Sequence, residues 1–266
     1  MQNQGNAWFE KSRLADVWIS GDEITNSDID RIKEIDNVSS VQAAAIEDAT
    51  VKLKDSKDAE IRLIYNKTNQ ISIPDTVSGS KYNTNESGCW IDKEFATANH
   101  ISVGDTLKIS NNSKEKTVSV KGIILSPDYI FYTGPNSSLF APNHAQNGYA
   151  YVSGDIFKSL SDNEDDILYN QVKIKTSKKA DNLKLRDDVE DKLGSKYIGF
   201  FDRSNWLGVY NYTNKISQMK KMSIMFSILF FFLTLLTMQT TMKRVVETER
   251  TQIGTFKALG FRNGQL

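Results

Sequence analysis

Few side chains in this chain could do chemistry, and their spacing does not assemble a reaction centre. His100 and His144 are the only histidines, and they stand in unrelated contexts. Neither belongs to an HExxH pattern, in which two imidazoles one helical turn apart hold zinc, and no Cys/His cluster accompanies them. Each reads as a surface or loop residue. Cys89 is the one cysteine, which excludes an internal disulfide. "SDNEDD" (Ser161 to Asp166) has the acid density of a calcium loop without its glycine or terminal glutamate, and reads as a solvated acidic loop. "SGSK" and "LGSK" spell fragments of a phosphate loop without the GxxxxGK[ST] spacing that aims amides and a lysine at one phosphate chain. ATP hydrolysis within this chain, a metal centre and a bound cofactor are therefore not expected.

Composition narrows the class. The chain has 266 residues with 33 basic and 33 acidic side chains, so the formal net charge is zero and no overall field draws it to nucleic acid. Hydrophobic residues make up 39%, as in a largely water-soluble protein. That average hides one outlier, "MSIMFSILFFFLTLLTM" from Met222 to Met238, which carries no charge. Extended through Thr241 it reaches about 20 residues, or about 30 Å as helix, enough to cross a bilayer core. A buried core helix is the alternative, disfavoured by its four phenylalanines and the lack of a charged face. At about 100° per residue, Ser223, Ser227, Thr234, Thr237 and Thr241 fall within an arc of about 80°. Their hydroxyls can bond to the preceding turn, and a stripe of small residues admits a second helix closely. Lys215, Lys220 and Lys221 precede the span, whereas Lys243, Arg244, Arg250, Lys257 and Arg262 follow it. The excess puts the C-terminal side in the cytoplasm and residues 1 to about 221 outside it.

The elements that would stand outside are legible from periodicity. "ADVWIS" reads as a strand, and "TNSDIDRIKEID" as a helix with Ser27 as its N-cap and Ile29, Ile32 and Ile35 on one face. "SVQAAAIEDATVKL" and "AEIRLIY" read as strands around the charged "KDSKD". "NQVKIKT" is a later strand, "ADNLKLRDDVEDKLGS" a helix with Leu183, Val189 and Leu193 inward, and "KYIGFF" a final strand. The order β-α-β-β, insertion, β-α-β predicts an α+β domain, a split βαβ ferredoxin-like layer over 8–65 and 170–205. A β-rich inserted subdomain, 66–169, interrupts it, and the ends of that insertion are expected close together. Within it "DKEFATAN" reads as a short helix, and "ISVGDTLKIS" and "EKTVSVKGIIL" as a hairpin around "NNSK", with turn chemistry at Gly104 and Asp105. "SPDYIFYTGPNSSLFAPNHAQNG" reads as a long surface loop. A juxtamembrane helix (206–221), the span (222–241) and a cytoplasmic segment (242–266) complete the expected organisation.

The last segment, "TMKRVVETERTQIGTFKALGFRNGQL", has Ile253, Phe256 and Leu259 as an apolar stripe bordered by Arg250 and Lys257, with Gly260 as a helix terminator. Such a helix either docks on a soluble partner or stays solvated and holds the span in register. The segment resembles the stretch after the second transmembrane helix of FtsX/MacB-type ABC-transporter permeases, through Arg250, Ile253, Gly254, Lys257, Ala258, Leu259 and Gly260. Gln252 stands where that family often has an acidic residue. "GCWIDKEFATANHISVGDTLKI" is similar to the family's extracytoplasmic core domain, and "LADVWISGDEITNSDIDRIKEIDNVSSVQ" to the stretch after its first transmembrane helix.

The resemblance implies a permease subunit in a bacterial plasma membrane that relays ATP-driven motion of a separate ATPase subunit to an extracytoplasmic domain. It implies contact with that ATPase through Arg250, Ile253, Gly254, Phe256, Lys257, Leu259 and Gly260. It also implies a second permease copy, or a homologous permease, as partner in the bilayer. Family members have further spans, so the resemblance makes this chain a partial permease without the first helix and the last two. From the residues alone, a single-span surface receptor or adhesion protein with a signalling tail remains the alternative. A membrane-bound enzyme fits the site inventory least.

Overall fold

The computed structural model describes residues 2–53, 58–134, 142–161, 166–177 and 180–260, with Arg262 and Gly264. The described chain divides into two compact units, Met1–Thr213 and Asn214–Leu266. "KDSKD" up to Lys57 and the centre of "SDNEDD" lie outside the described residues.

In the first unit, helix α1 (Gln2–Lys11) leads to strand β1 (Val17–Ile24), helix α2 (Asn26–Lys33), and the long strand β2 (Val38–Lys52), followed by β3 (Asp58–Asn66). There follow β4 (Asp75–Gly79), β5 (Cys89–Asp92), α3 (Lys93–Ala98), β6 (Thr106–Asn111), β7 (Lys114–Leu125), β8 (Asn147–Val152) and α4 (Gly154–Leu160). Strand β9 (Tyr169–Thr176), helix α5 (Asn182–Leu193) and strand β10 (Tyr197–Asp202) bring the chain to α6, which starts at Leu207. The fold is mixed α+β around one large sheet.

Strands β10, β1, β9 and β2 are neighbours in that order, each pair antiparallel. Strands β1 and β2 therefore run parallel, joined by α2, with β9 inserted between them. Asn66 at the end of β3 and Gln171 near the start of β9 are both register partners of Ala44. The stretch between them thus leaves and re-enters the sheet on either side of one residue. Beyond Ala44, β2 pairs with β3 and then with β6 at Thr50–Lys52. The pairings β3–β8, β8–β5, β5–β7 and β7–β6 close a ring of six strands back onto β2. Closure leaves no free edge among these six. The ring draws on chain from both sides of Asn66.

Period-2 alternation decides what faces each side. Val17, Ile19, Ala43, Ala45, Val172 and Ile174 point to one face, where Ile29 and Ile32 of α2 and Leu185, Val189 and Leu193 of α5 cover them. The same core continues through Val51, Ile61, Leu63, Cys89, Ile91, Val118 and Val120 in the ring, joined by Phe95 of α3 and Phe157 of α4. Leu185, not Leu183, is the inward leucine at the start of α5. Leu183 is 66% exposed because it falls on the outer side of the first turn. The N-cap of α2 is Thr25 rather than Ser27. Thr25 and Asp28 form a reciprocal capping box, with the Asp28 carboxylate also accepting from Arg31 and from Lys196 Nζ at 2.8 Å. The "LGSK" lysine is thus committed to a structural carboxylate.

The opposite face is also covered, and part of the expected surface loop covers it. Ser126, Asp128, Tyr129, Tyr132 and Thr133 are buried. This part of "SPDYIFYTGPNSSLFAPNHAQNG" therefore packs inward, because its tyrosines pack on Tyr149 of β8, and Tyr149 on Tyr151. Residues 135–141 lie outside the described residues, and Asn147 onward is strand.

Cys89 is fully buried in the first core, and burial pushes its thiol up to about 12. A thiol needs its thiolate to react. In native protein at pH 8, Cys89 is expected to resist maleimide labelling for hours and to label fully within minutes in denaturant, as read by intact-mass spectrometry.

Candidate functional site at the helix root

The outstanding constellation centres on Asp128, in the loop after β7. Its carboxylate lies 2.7 Å from Lys173 Nζ, and both side chains are 0% exposed. Trp18 Nε1 of β1 donates to the other carboxylate oxygen at 3.1 Å. Lys173 also reaches Asn66 Oδ1 at 3.3 Å and lies 5.9 Å above the Tyr151 ring. The pairing follows from register, since Trp18 stands opposite Lys173 and Lys173 opposite Gln42 across three adjacent strands. Gln42 holds the 68–71 segment in turn, donating to Ile71 O and accepting from the amides of Gln70 and Ile71.

The loop that delivers Asp128 is fixed by hydroxyls. Tyr149 accepts from Ser126 N at 2.9 Å, Tyr151 pairs with Ser126 Oγ at 2.8 Å, and that Oγ accepts from Asp128 N. Burial raises both phenols well above their ordinary value, aided by the charge of Asp92 near Tyr149 and of Asp128 near Tyr151. They remain protonated and can donate.

Asp128 also grips the start of α6, Leu207–Thr248. Trp206 Nε1 donates to the Asp128 carbonyl at 2.9 Å, and its ring stacks on Trp18 with centroids 4.8 Å apart and planes 8° from parallel. A Cβ at Gly208 would meet the Asp128 carbonyl at 2.5 Å, so only glycine lets the first helical turn approach so closely. Tyr212, one turn on, meets Phe9 of α1 edge-to-face at 5.6 Å. Arg203 ties the preceding turn to the carbonyls of Leu14 and Ala15 and to Asp16. Asp128 thus joins a loop to two sheet strands through its carboxylate and to the helix root through its backbone carbonyl.

The second unit is helical. Among the described residues α6 is the one helix long and apolar enough to cross a membrane, by length and composition. It runs unbroken through the expected juxtamembrane, span and early coupling segments. Ser227, Thr234 and Thr237 donate to the carbonyls of Ser223, Phe230 and Leu233, each at 2.8–2.9 Å. Their hydroxyls are thereby satisfied within the helix, on the stripe that also holds Thr241. A second helix, α7 (Arg250–Ala258), carries Arg250, Ile253, Gly254, Phe256 and Lys257. Leu259 caps it and Gly260 ends it with φ of 91°. Phe256 is 45% and Leu259 71% exposed, and a Cβ at Gly254 would meet open space among the described residues. Nothing is described of the Ile253 side chain.

The sequence reading missed Trp18, Asp128, Lys173 and Trp206. The available signal was the Asp-Tyr-Ile-Phe-Tyr run from Asp128 to Tyr132, too aromatic for a solvated loop. His100 and His144 are not brought together with any of these groups.

No family model matches the chain, and no curated protein matches it. Solved structures similar to it include extracytoplasmic regions of transport proteins. The extracellular domain of the noncanonic ABC-type transporter YknZ from Gram-positive bacteria aligns over 70% of this chain and 99% of its own, at 15% identity and a TM-score of 0.46. The periplasmic region of MacB from Actinobacillus actinomycetemcomitans aligns over 77% and 91%, at 11% identity and a TM-score of 0.45.

Removing one member of a buried ion pair leaves the other unpaired and costs about 3–5 kcal/mol, whereas replacing both by apolar groups is often close to neutral. Asp128→Leu and Lys173→Met singly should each lower unfolding free energy by about that amount in denaturant titrations. The double variant should recover most of the loss.

Proposed function

We propose that this chain is the membrane subunit, or part of it, of an FtsX/MacB-type ABC transporter, relaying motion from a separate ATPase to its extracytoplasmic domain. The observation that carries the reading is the succession of a bilayer-length apolar helix and the short helix α7 bearing the segment that resembles the family's coupling region. In this reading Met1 to about Lys221 stand outside a bacterial plasma membrane, and the C-terminal side faces the cytoplasm. Strands β10-β1-β9-β2 with α2 and α5 form a split βαβ ferredoxin-like layer, and 66–169 is its inserted subdomain.

Each proposed part has a physical role. Phe256 and Leu259 provide the apolar ridge of α7, to which the sequence spacing adds Ile253, and Arg250 and Lys257 flank it with charge. Gly254 admits close backbone approach, and Gly260 ends the helix. The Ser223–Thr241 stripe admits a second permease copy or a homologous permease at short interhelical distance. The Asp128 clamp holds the base of α6 to the sheet, so a displacement of the helix reaches the outer domain without loss in a loose linker.

Burying one side chain of the ridge contributes about 1.5–3 kcal/mol, and 1.4 kcal/mol is about a factor of ten. Phe256→Asp is therefore expected to weaken ATPase recovery in a pulldown at least tenfold while leaving membrane insertion intact. Undiminished recovery with coupled ATP turnover would favour a solvated tail and the single-span receptor.

A further inference from the structure

The apolar side of α6 does not end at Thr241. Leu235, Met238, Met242, Val245 and Val246 fall within an arc of about 100°, at about 100° per residue, and all five are exposed. Lys243, Arg244 and Glu247 take the other side of the same turns. From Met222 to Val246 the apolar stripe is about 37 Å long as helix, longer than a bilayer core of about 30 Å. A span with such an excess buries it by tilting toward that side. Tilt lowers the end of α6 onto the bilayer surface, and Glu249 is the junction from there to α7.

Helix α7 continues this character. Phe256 and Leu259 are exposed on one side of it, and Gly254 and Ala258 lie on the other. From Met242 to Arg262 the chain carries five basic residues, Lys243, Arg244, Arg250, Lys257 and Arg262, against two acidic ones, Glu247 and Glu249. A helix with an apolar side and an excess of basic charge suits the interface of an anionic bilayer. Alone, the nine residues of α7 would bind such a surface weakly. Joined to α6, they meet it at high effective concentration, so a weak contact suffices. A soluble partner for α7 gives no reason for the stripe of α6 to run past the span, whereas a bilayer accounts for both helices.

We propose that the segment from Met242 to Leu259 beds on an anionic phospholipid surface. Met242, Val245, Val246, Phe256 and Leu259 enter the boundary between headgroups and acyl chains, and Lys243, Arg244, Arg250 and Lys257 extend to the phosphates. This rests on the membrane span of the proposed permease. It gives the ridge of α7 a second occupant, so an ATPase subunit has to lift Phe256 and Leu259 from lipid in order to bind them.

The test places a nitrobenzoxadiazole label at Leu259→Cys, or at Ala258→Cys on the other side, in the full chain in nanodiscs, with intact mass confirming one label per chain. The lipid is phosphatidylcholine alone or a mixture rich in phosphatidylglycerol, each with and without a doxyl-labelled lipid as quencher. With phosphatidylglycerol, emission at 259 should shift to the blue and be quenched at least twofold more than at 258. In phosphatidylcholine alone, or in about 1 M potassium chloride, where the screening length is about 3 Å, that difference should fall by at least half. Equal quenching at the two sites, or quenching indifferent to phosphatidylglycerol and salt, would overturn the proposal. So would a blue shift without quenching, which would give the ridge to a protein contact such as a second copy. A chain that does not enter nanodiscs would overturn the span and this proposal with it. No ATPase is present, so loss of the lipid contact alone leaves the ATPase contact standing, and a failed Phe256→Asp pulldown leaves the lipid contact standing.

Discussion

The contact between Asp128 and Lys173 constrains more of this molecule than any other. Two opposite charges with 0% exposure persist only when they are paired, and here they are. Trp18 and Lys173 take the carboxylate, while Asn66 and the Tyr151 ring take the ammonium. Those partners come from β1, β3, β8, β9 and the loop after β7. Satisfying one pair therefore fixes the register of strands far apart in sequence. It also fixes where the backbone carbonyl of Asp128 points, and that carbonyl receives the Trp206 indole.

From this follows a sheet with two different faces. The face under α2 and α5 is aliphatic, with Val, Ile and Ala side chains on the strands. The other face is aromatic and hydrogen-bonded, with Tyr129, Tyr132, Tyr149 and Tyr151 on one part and Trp18, Phe9 and Val209 on another. An aliphatic layer tolerates repacking, whereas a polar network in a low-dielectric interior is strained by loss of any one member. The helix root is built on the less forgiving face. In the proposed permease, a transmitted displacement needs such a joint.

The aliphatic face was legible in the sequence, and the other was not. Val172 and Ile174 alternate with Gln171, Lys173 and Lys175, which predicts a half-buried strand with a wet polar side. Strand β9 does form, but its polar side lies under the Asp128 loop, because a tertiary contact overrides the pattern. The capping residue of α2 was misplaced by two positions, although Thr25 and Asp28 have the spacing of a capping box. The element order was readable, but the ring of β2, β3, β8, β5, β7 and β6 depends on non-local pairings that no local period reports. The α7 motif was the clearest feature of the sequence, and it carries the functional reading.

The central claim is that Asp128 holds the helix root to the sheet. Hydrogen–deuterium exchange of the full chain, unaltered and with Asp128→Asn, tests it most directly. The substitution keeps shape and removes the charge that Lys173 requires. Faster exchange at 207–213 and in the 126–134 loop, with α2 and α5 unchanged, is the predicted result. Unchanged exchange at 207–213 would contradict the account, since the hold of the Asp128 carbonyl on the root would then not depend on the ion pair with Lys173.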